Sequence, residues 1–430
     1  MSDCFIHASD LHLDAPLGRL GRLGEEVRRR LAAEAGEAWS SLVDLTITKG
    51  ASFLVLAGDI FHDGVGNAAV QRNFHKGLRR LDAEGIQVLI CHGNHDPLTA
   101  DFERERIGDP PENVTTFKAD SLEIVEVPLR SGGLASVSGL SFGERHELDN
   151  LAQKFRQLAP TCRPHVAVLH ANLGGDTAHD PYAPCEIEDL VAAPVDYWAL
   201  GHIHLRRLHE LAPNRYAAYC GNLQGRNFKA SECHPKGAYV VPIEDGQIRK
   251  PAFVPCDRVR FVHDEIQVEP EDDIEAIIDQ IDVAARHAAT EAEQRPVVWS
   301  LALKGQHRDP SAIRRLVDVD DPDSQGALGG GDLAEVLNGG GLARAKSHVT
   351  FHRSHEELIA EGGVQAVILK ALDDDAVRST LERLVDDLPT PIPRKVLTGG
   401  EEVLDINDLL KQVVPLAREL LVARLGGSSG

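Results

Sequence analysis

The chain has 430 residues, of which 42% are hydrophobic and 26% charged, a composition typical of a folded protein with a large core. Its formal net charge of −22 argues against binding nucleic acid by bulk electrostatics, although bound cations reverse the charge of a local site. The sequence has no CxxC pair among its seven cysteines, no signal-peptide pattern and no apolar run of about 20 residues, so we expect a reduced, cytoplasmic protein without membrane association.

Short apolar runs alternate with amphipathic segments in the N-terminal half. Four of these runs predict buried strands, at 53–57, 88–91, 166–169 and 197–200. Helical patterns cover roughly 25–50 and Val70–Glu84, where Gly85 ends the second one. Strands that alternate with helices predict an α/β sandwich.

The pattern changes after about Arg258. Strand-like runs at 259–262, 297–301 and 348–351, with a helical pattern over 272–290, predict a smaller α+β domain. The segment at 318–341 is rich in Gly and Asp, and we predict that part of it is a mobile loop around one short helix. We therefore predict three regions: an α/β domain at 1–257, an α+β domain at 258–372 and a helical segment at 373–430.

The C-terminal segment has helical patterns at 374–388 and 405–425. The second pattern carries an apolar stripe on one face, and Pro415 predicts a kink within it. The stripe has two interpretations, which are packing onto its own domain and docking of a partner helix.

Metal-binding residue types follow the first strand of the chain and each of the four predicted strands named above, which gives five segments. In α/β sheets such residues collect at the carboxyl ends of the strands, along one rim. Two divalent cations about 3.5–4 Å apart need a bridging anion, and Asp59, on the turn that Gly58 allows, is the candidate. Imidazole with carboxylate suits Mn, Fe or Zn, and the amide of Asn94 adds an oxygen ligand without charge. The predicted ligands are Asp10, His12, Asp59, Asn94, His170, His202 and His204.

A water between two such cations is nucleophilic near neutral pH, so the pattern predicts hydrolysis of a phosphate ester. His95 follows Asn94, and we expect its ring to face the substrate as a general acid or a donor to the leaving oxygen. Asp96 is the candidate to orient it, as a carboxylate orients histidine in hydrolytic triads. Each motif alone has a structural explanation, such as a turn, a helix cap or a packed histidine. Five motifs in order favour the catalytic interpretation.

These motifs resemble the calcineurin-like metallophosphoesterase superfamily. Within it, the blocks at 9–14, 58–62 and 201–204 are similar to those of SbcD/YhaO-type DNA repair exonucleases, nuclease subunits that commonly work with an SbcC-like coiled-coil ATPase. The motifs span about half the chain. The resemblance implies a four-layer α/β/β/α sandwich, a smaller α+β capping domain and C-terminal helices.

The resemblance also implies roles for individual residues. One metal would be held by Asp10, His12, Asp59 and His204. The other would be held by Asp59, Asn94, His170 and His202. The usual metal is manganese, and His95 would be the catalytic histidine. His62 would approach the nucleic-acid strand, with a structural histidine as the equal alternative. Arg226 is a candidate phosphate contact, with a solvated loop as the alternative. The expected partners are DNA, an SbcC-like ATPase at the C-terminal helices and a second copy of the chain.

The leading functional interpretation is a Mn-dependent DNA phosphodiesterase, either a 3′–5′ exonuclease or an end-processing endonuclease. The alternative is a phosphodiesterase or phosphatase of small nucleotides or nucleotide-containing metabolites. The acidic net charge favours the alternative, whereas the His62 block and the C-terminal region favour the nuclease. The block after Asp59 lacks the arginine of the related protein phosphatases, which argues against phosphoprotein substrates. A non-enzymatic scaffold is the third interpretation, and the complete ligand set argues against it.

Overall fold

The computed structural model describes residues 3–20, 23–62, 67–99, 108–175, 180–317 and 331–351. The helical patterns at 374–388 and 405–425, and with them the region at 373–430, lie outside the described residues. Most of the Gly- and Asp-rich segment at 318–341 lies outside them too.

The chain groups into two compact units. The first contains residues 1–263, 285–300 and 331–344. The second contains 264–284 and the described parts of 301–330 and 345–430. The division into functional domains at 1–257 and 258–372 stays a prediction.

The described residues form strands and helices in an alternating order. The strands are β1 (Asp3–Ala8), β2 (Phe53–Ala57), β3 (Gln87–Cys91), β4 (Val114–Thr116), β5 (Glu123–Pro128), β6 (Leu134–Leu140), β7 (His165–His170), β8 (Tyr197–Gly201), β9 (Arg207–Ala212), β10 (Arg215–Tyr219), β11 (Gly237–Glu244), β12 (Gln247–Ile248), β13 (Ala252–Pro255), β14 (Arg260–Val268), β15 (Val297–His307) and β16 (Gly341–Phe351). The α-helices are α1 (Glu25–Gly36), α2 (Ala38–Thr48), α3 (Ala68–Ala83), α4 (Ile187–Ala192), α5 (Ile274–Glu291), α6 (Pro310–Val317) and α7 (Gly331–Val336). Short 3-10 helices cover Leu151–Gln157 and Ala230–Glu232.

Two sheets form the centre of the first unit. The first has the order β12-β11-β1-β2-β3-β4, with β13 also paired to β11, and the second has the order β5-β6-β7-β8-β10-β9. One apolar cluster lies between the sheets. A second cluster packs α2 and α3 onto the first sheet, and a third packs the 3-10 helix at 151–157 and α4 onto the second. This helix–sheet–sheet–helix order confirms the predicted α/β/β/α sandwich. Strands β14, β15 and β16 form a separate three-stranded sheet.

The central strands carry long apolar runs because both of their faces are covered. On β2, Leu54 and Leu56 belong to the cluster under the helices, whereas Phe53 and Val55 belong to the cluster between the sheets. Side chains alternate between the faces of a strand, so a strand buried on both sides carries apolar residues at successive positions and not at every second one. Full burial of one of these Leu, Val or Phe side chains stabilises the fold by about 1.5–3 kcal/mol.

The helical pattern predicted over 25–50 consists of two helices, α1 and α2. Glu37 separates them, and its backbone N–H donates to the carbonyl of Glu34. The chain turns there at a ψ of 0°, so the spacing of apolar residues changes little and the pattern reads as continuous. Gly36, at the end of α1, is the local sign of the break, since glycine is common at helix ends.

Gly77 allows α3 to pack closely against Trp39 of α2. A Cβ at Gly77 would lie 2.2 Å from the indole Nε1 of Trp39, which is buried. We expect Gly77→Ala to lower the free energy of unfolding by about 1–3 kcal/mol, although alanine favours helices. Urea unfolding measures the change. Gly36→Ala is the control, because a Cβ there has no neighbour within 4 Å; equal stability of the two variants would contradict the prediction.

Candidate active site

The ends of five strands meet at one edge of the sandwich. On the parallel strands β2 and β3, Ala57 lies opposite Cys91, and on β7 and β8, His170 lies opposite Gly201. Strand β1 runs parallel to β2 in the same sheet. The residues that follow these strands therefore emerge side by side, as expected from the sequence.

The turns after the strands hold several predicted ligands in left-handed backbone conformations. The φ angles are 50° for Asp10, 44° for His12, 52° for Asp59 and 98° for His202. Such conformations are uncommon for residues other than glycine and concentrate at functional sites. The turns support one another, because the backbone N–H of Asp10 donates to the carbonyl of Gly58 and that of His12 to the carbonyl of Asp59, both at 3.0 Å.

One group of donors consists of Asp10, His12 and His204. The Nε2 atoms of His12 and His204 lie 3.2 Å apart. The Nε2 of His204 is 3.9 Å from Oδ1 of Asp10, and the Nε2 of His12 is 3.8 Å from Oδ2 of Asp59. The Nδ1 of His204 donates to Oε1 of Glu232 at 2.7 Å, which leaves Nε2 as the nitrogen with a lone pair.

A second group consists of Asp59, Asn94 and His170, with His202 beside it. The Nε2 of His170 lies 3.5 Å from Oδ2 of Asp59 and 3.1 Å from Oδ1 of Asn94. Its Nδ1 donates to the carbonyl of Ala57 at 3.1 Å, so Nε2 presents a lone pair. The Nε2 of His202 donates to the Asp180 carbonyl at 2.8 Å, which leaves the lone pair on Nδ1. The rings of His170 and His202 are 5.2 Å apart.

The chemistry of these donors fits two divalent cations. The rings of His170, His202 and His204 each give a proton to an outer oxygen, the usual arrangement of metal-binding histidines. Burial, with the Asp96 and Asp10 carboxylates nearby, raises the pKa of Asp59 well above its usual range. Burial, with neighbouring histidines, lowers the pKa of His12 well below its usual range. A cation would stabilise the carboxylate and the neutral imidazole together.

His95 lies on the cleft side of the two donor groups. Its backbone N–H donates to Oδ1 of Asp59 at 3.0 Å, and its Nδ1 donates to the carbonyl of His62 at 2.7 Å. The ring centroids of His95 and His12 are 5.0 Å apart. The acceptor that orients the His95 ring is therefore the backbone of His62.

Asp96 does not orient His95 as the sequence suggested. It is fully buried, and its carboxylate accepts from the backbone N–H of Ile60 at 2.8 Å and of Gly93 at 3.0 Å. Its Oδ2 also lies 3.1 Å from Nδ1 of His92. Asp96 thus links the turn after β2, which contains Ile60, to the turn after β3, which contains Gly93. Asp96 and His95 are adjacent in the sequence, but their side chains contact different groups.

His62 lies at the entrance of the site. Its exposed ring stacks on the ring of His95, with centroids 4.8 Å apart and an interplanar angle of 17°. Its Nδ1 is 3.3 Å from Nδ1 of His12. This position lets His62 support both rings, and its approach to a nucleic-acid strand stays a prediction.

Arg226 holds backbone in this structure. Its guanidinium donates to the carbonyls of Leu11 at 3.1 Å, His12 at 2.5 Å and Ala15. Burial lowers the pKa of Arg226 to about 10, so the side chain stays charged at neutral pH. Arg226, which the sequence suggested as a phosphate contact, therefore stabilises the loop that carries His12.

Glu232 is a site residue that the sequence did not reveal. Its Oε1 accepts from His204, and its Oε2 accepts from Nδ2 of Asn222 at 2.9 Å and from the backbone N–H of Arg226 at 3.0 Å. Burial opposes ionisation, but the hydrogen bond from His204 and the charge of Lys236 hold the pKa of Glu232 at about 2. It lies 28 residues beyond His204 and belongs to no motif.

The donor groups open into a cleft of about 930 Å³. Its lining includes His62 and His95, and also Arg207 and Lys229. Positive side chains beside a site that can hold two cations favour an anionic substrate. The size is near the upper end of the range for small-molecule sites.

The fold and this donor set agree with the comparison of the sequence to known families. Residues 5–206 match the calcineurin-like phosphoesterase family. Residues 5–206, just under half of the chain, therefore correspond to a calcineurin-like metallophosphoesterase domain, and this family uses divalent metals.

The sequence is also similar to three individual proteins. The "uncharacterized metallophosphoesterase YhaO" of Bacillus subtilis is 35% identical over 245 residues, which are 57% of this chain and 58% of YhaO. The "DNA double-strand break repair protein Mre11" of Archaeoglobus fulgidus is 26% identical over 329 residues, 73% of this chain and 71% of that protein. Mre11 of Sulfurisphaera tokodaii is 24% identical over 244 residues, 55% and 58% of the two chains. The match thus spans less than two thirds of YhaO.

Among the described residues, no helix has both the length and the apolar character needed to cross a membrane.

Proposed function

We propose that this chain is a two-metal phosphodiesterase that hydrolyses DNA, with manganese as the metal. The observation that carries the proposal is the convergence of the predicted donors at the base of an open cleft, where Nε2 of His12, His170 and His204 each lies within 3.9 Å of a carboxylate or amide oxygen. One cation would be held by Asp10, His12, Asp59 and His204. The other would be held by Asp59, Asn94, His170 and His202. Imidazole with carboxylate suits Mn, and also Fe or Zn.

In the proposed reaction, the bound cations and His95 have different roles. Two bound cations would supply an acidic water as the nucleophile and neutralise charge on the phosphate. His95 keeps a proton on Nδ1 through the carbonyl of His62, so Nε2 is the atom that exchanges a proton. In its protonated form His95 donates from Nε2 to the leaving oxygen of the ester. Solvent in the open cleft then returns the proton to His95.

A DNA substrate is supported by the two Mre11 relatives, which are named DNA double-strand break repair proteins. Arg207 and Lys229 beside the cleft offer positive charge to neighbouring phosphates. The net charge of −22 favours the second candidate, a phosphodiesterase of small nucleotides. The ATPase partner and the second copy of the chain stay predictions from the resemblance.

The purified chain with Mn²⁺ should degrade end-labelled linear DNA, and EDTA should abolish the activity. The measurement is product length on denaturing gels over time, across linear, nicked and circular DNA and across Mn²⁺, Zn²⁺ and Mg²⁺. A cyclic dinucleotide tested in parallel separates the candidates. Turnover of the dinucleotide without cleavage of any DNA would reject the DNA substrate and favour the second candidate.

A further inference from the structure

We infer that Glu232 is a positioning residue that sets the metal affinity of one of the two cation positions, the one that Asp10, His12, Asp59 and His204 would form. The inference rests on the proposed two-metal function. It assigns a role to a residue outside every motif of the site.

Glu232 determines which nitrogen of His204 faces the cation position. It is 4% exposed, and its Oε1 accepts the Nδ1 proton of His204 at 2.7 Å. The lone pair of His204 is thereby placed on Nε2, the atom 3.2 Å from Nε2 of His12. A carboxylate behind a ligating histidine fixes its orientation and raises its basicity, and the loss of such a partner typically weakens metal binding about 10- to 100-fold.

Glu232 also anchors a loop that supports both histidines of this position. Its Oε2 accepts from Nδ2 of Asn222 and from the backbone N–H of Arg226. The guanidinium of Arg226 donates to the carbonyl of His12. From the same loop, Nζ of Lys236 donates to the carbonyl of His204 at 2.8 Å. The carboxylate thus connects the supports of His12 and His204.

The histidines of the other cation position have outer partners on other segments of the chain. The outer partners of His170 and His202 are the backbone carbonyls of Ala57 and Asp180. Backbone acceptors on other segments remain in place when Glu232 changes. Loss of the carboxylate should therefore affect the two positions unequally.

The test is Glu232→Gln in the full chain. Glutamine has one accepting oxygen, which can face either His204 or the pair of donors from Asn222 and Arg226, and its NH₂ accepts from neither side. We expect calorimetric titration with Mn²⁺ to show two ions bound by the original chain. In the variant, one ion should keep its affinity and the other should bind about 10- to 100-fold more weakly. Electron paramagnetic resonance at one equivalent should show isolated Mn²⁺ in the variant. Excess Mn²⁺ should restore most of the kcat on bis(p-nitrophenyl) phosphate.

Glu244→Gln is the matched control. Glu244 is exposed on β11 and pairs with Arg249 at 3.0 Å, so both Mn²⁺ affinities should be unchanged. Asn222→Ala removes one donor to Glu232 and should weaken Mn²⁺ binding at the same position by less than Glu232→Gln does. If circular dichroism shows that Glu232→Gln is unfolded, the Mn²⁺ affinities of Asn222→Ala test the inference in its place.

Wild-type affinity at both positions in Glu232→Gln would overturn the inference, and so would equal weakening of both. Two bound ions and cleavage of the model diester without cleavage of DNA would reject the DNA substrate while leaving this inference intact. Binding of fewer than two ions by the original chain would reject both.

Discussion

Replacing His95 with alanine should slow hydrolysis of a phosphate diester by about 10²- to 10⁴-fold while both cations stay bound. The backbone N–H of residue 95, which donates to Oδ1 of Asp59, is retained in the variant. The predicted ligands meet one another without the His95 ring. The lost group is the proposed proton donor to the leaving oxygen, so the rate of hydrolysis should fall more than the metal affinity.

The dependence on the leaving group tests this role directly. A nitrophenolate leaves with little need of a proton, whereas a sugar alkoxide of DNA needs one. His95→Ala should therefore lower the kcat for DNA more than the kcat for bis(p-nitrophenyl) phosphate. Mn²⁺ titration should still show two ions. His287→Ala, at an exposed position of α5, is the control. Equal losses on both substrates, or a lost ion, would argue against a general acid.

The sequence indicated the candidate donors because they lie at or just beyond the ends of strands with long apolar runs. The strands β2, β3, β7 and β8 lie inside their sheets and show unbroken apolar runs. The edge strands β4, β5, β9 and β12 have partly exposed faces and mixed composition, so the sequence gives little sign of them. Parallel pairing then brings the strand ends together, which is a consequence of topology rather than of any single motif.

The outer contacts of the site could not be predicted in the same way. Asp96 is next to His95 in the chain, yet its carboxylate binds backbone N–H groups of the turns. The charge of Arg226 is evident from sequence, but the carbonyls that need its protons are defined by the folded loop. Glu232 meets His204 only through the path of the loop between them. Residue type indicates chemistry at strand ends, whereas loop contacts depend on three-dimensional structure.

Substituting Gly93 with alanine should weaken binding of the metals and lower activity by at least about 100-fold, the loss that a misplacement of about 1 Å can cause. A Cβ at Gly93 would lie 2.3 Å from Oδ1 of Asp59 and 2.9 Å from two ring carbons of His170. Both side chains are buried and have little room to move. Gly93 is not among the residues with a positive φ, so the expected cause is this contact and not backbone strain.

Gly36→Ala separates this local effect from a general cost of replacing glycine. A Cβ at Gly36 meets nothing within 4 Å, so this variant should keep its Mn²⁺ affinity and its rate. Calorimetric titration with Mn²⁺ and thermal unfolding should be measured on both variants. Wild-type Mn²⁺ affinity and rate in Gly93→Ala would show that Asp59 and His170 do not hold the cations, because their atoms must shift to admit the methyl group. Weakened Mn²⁺ binding with a folded chain would support Asp59 and His170 as residues that hold the cations.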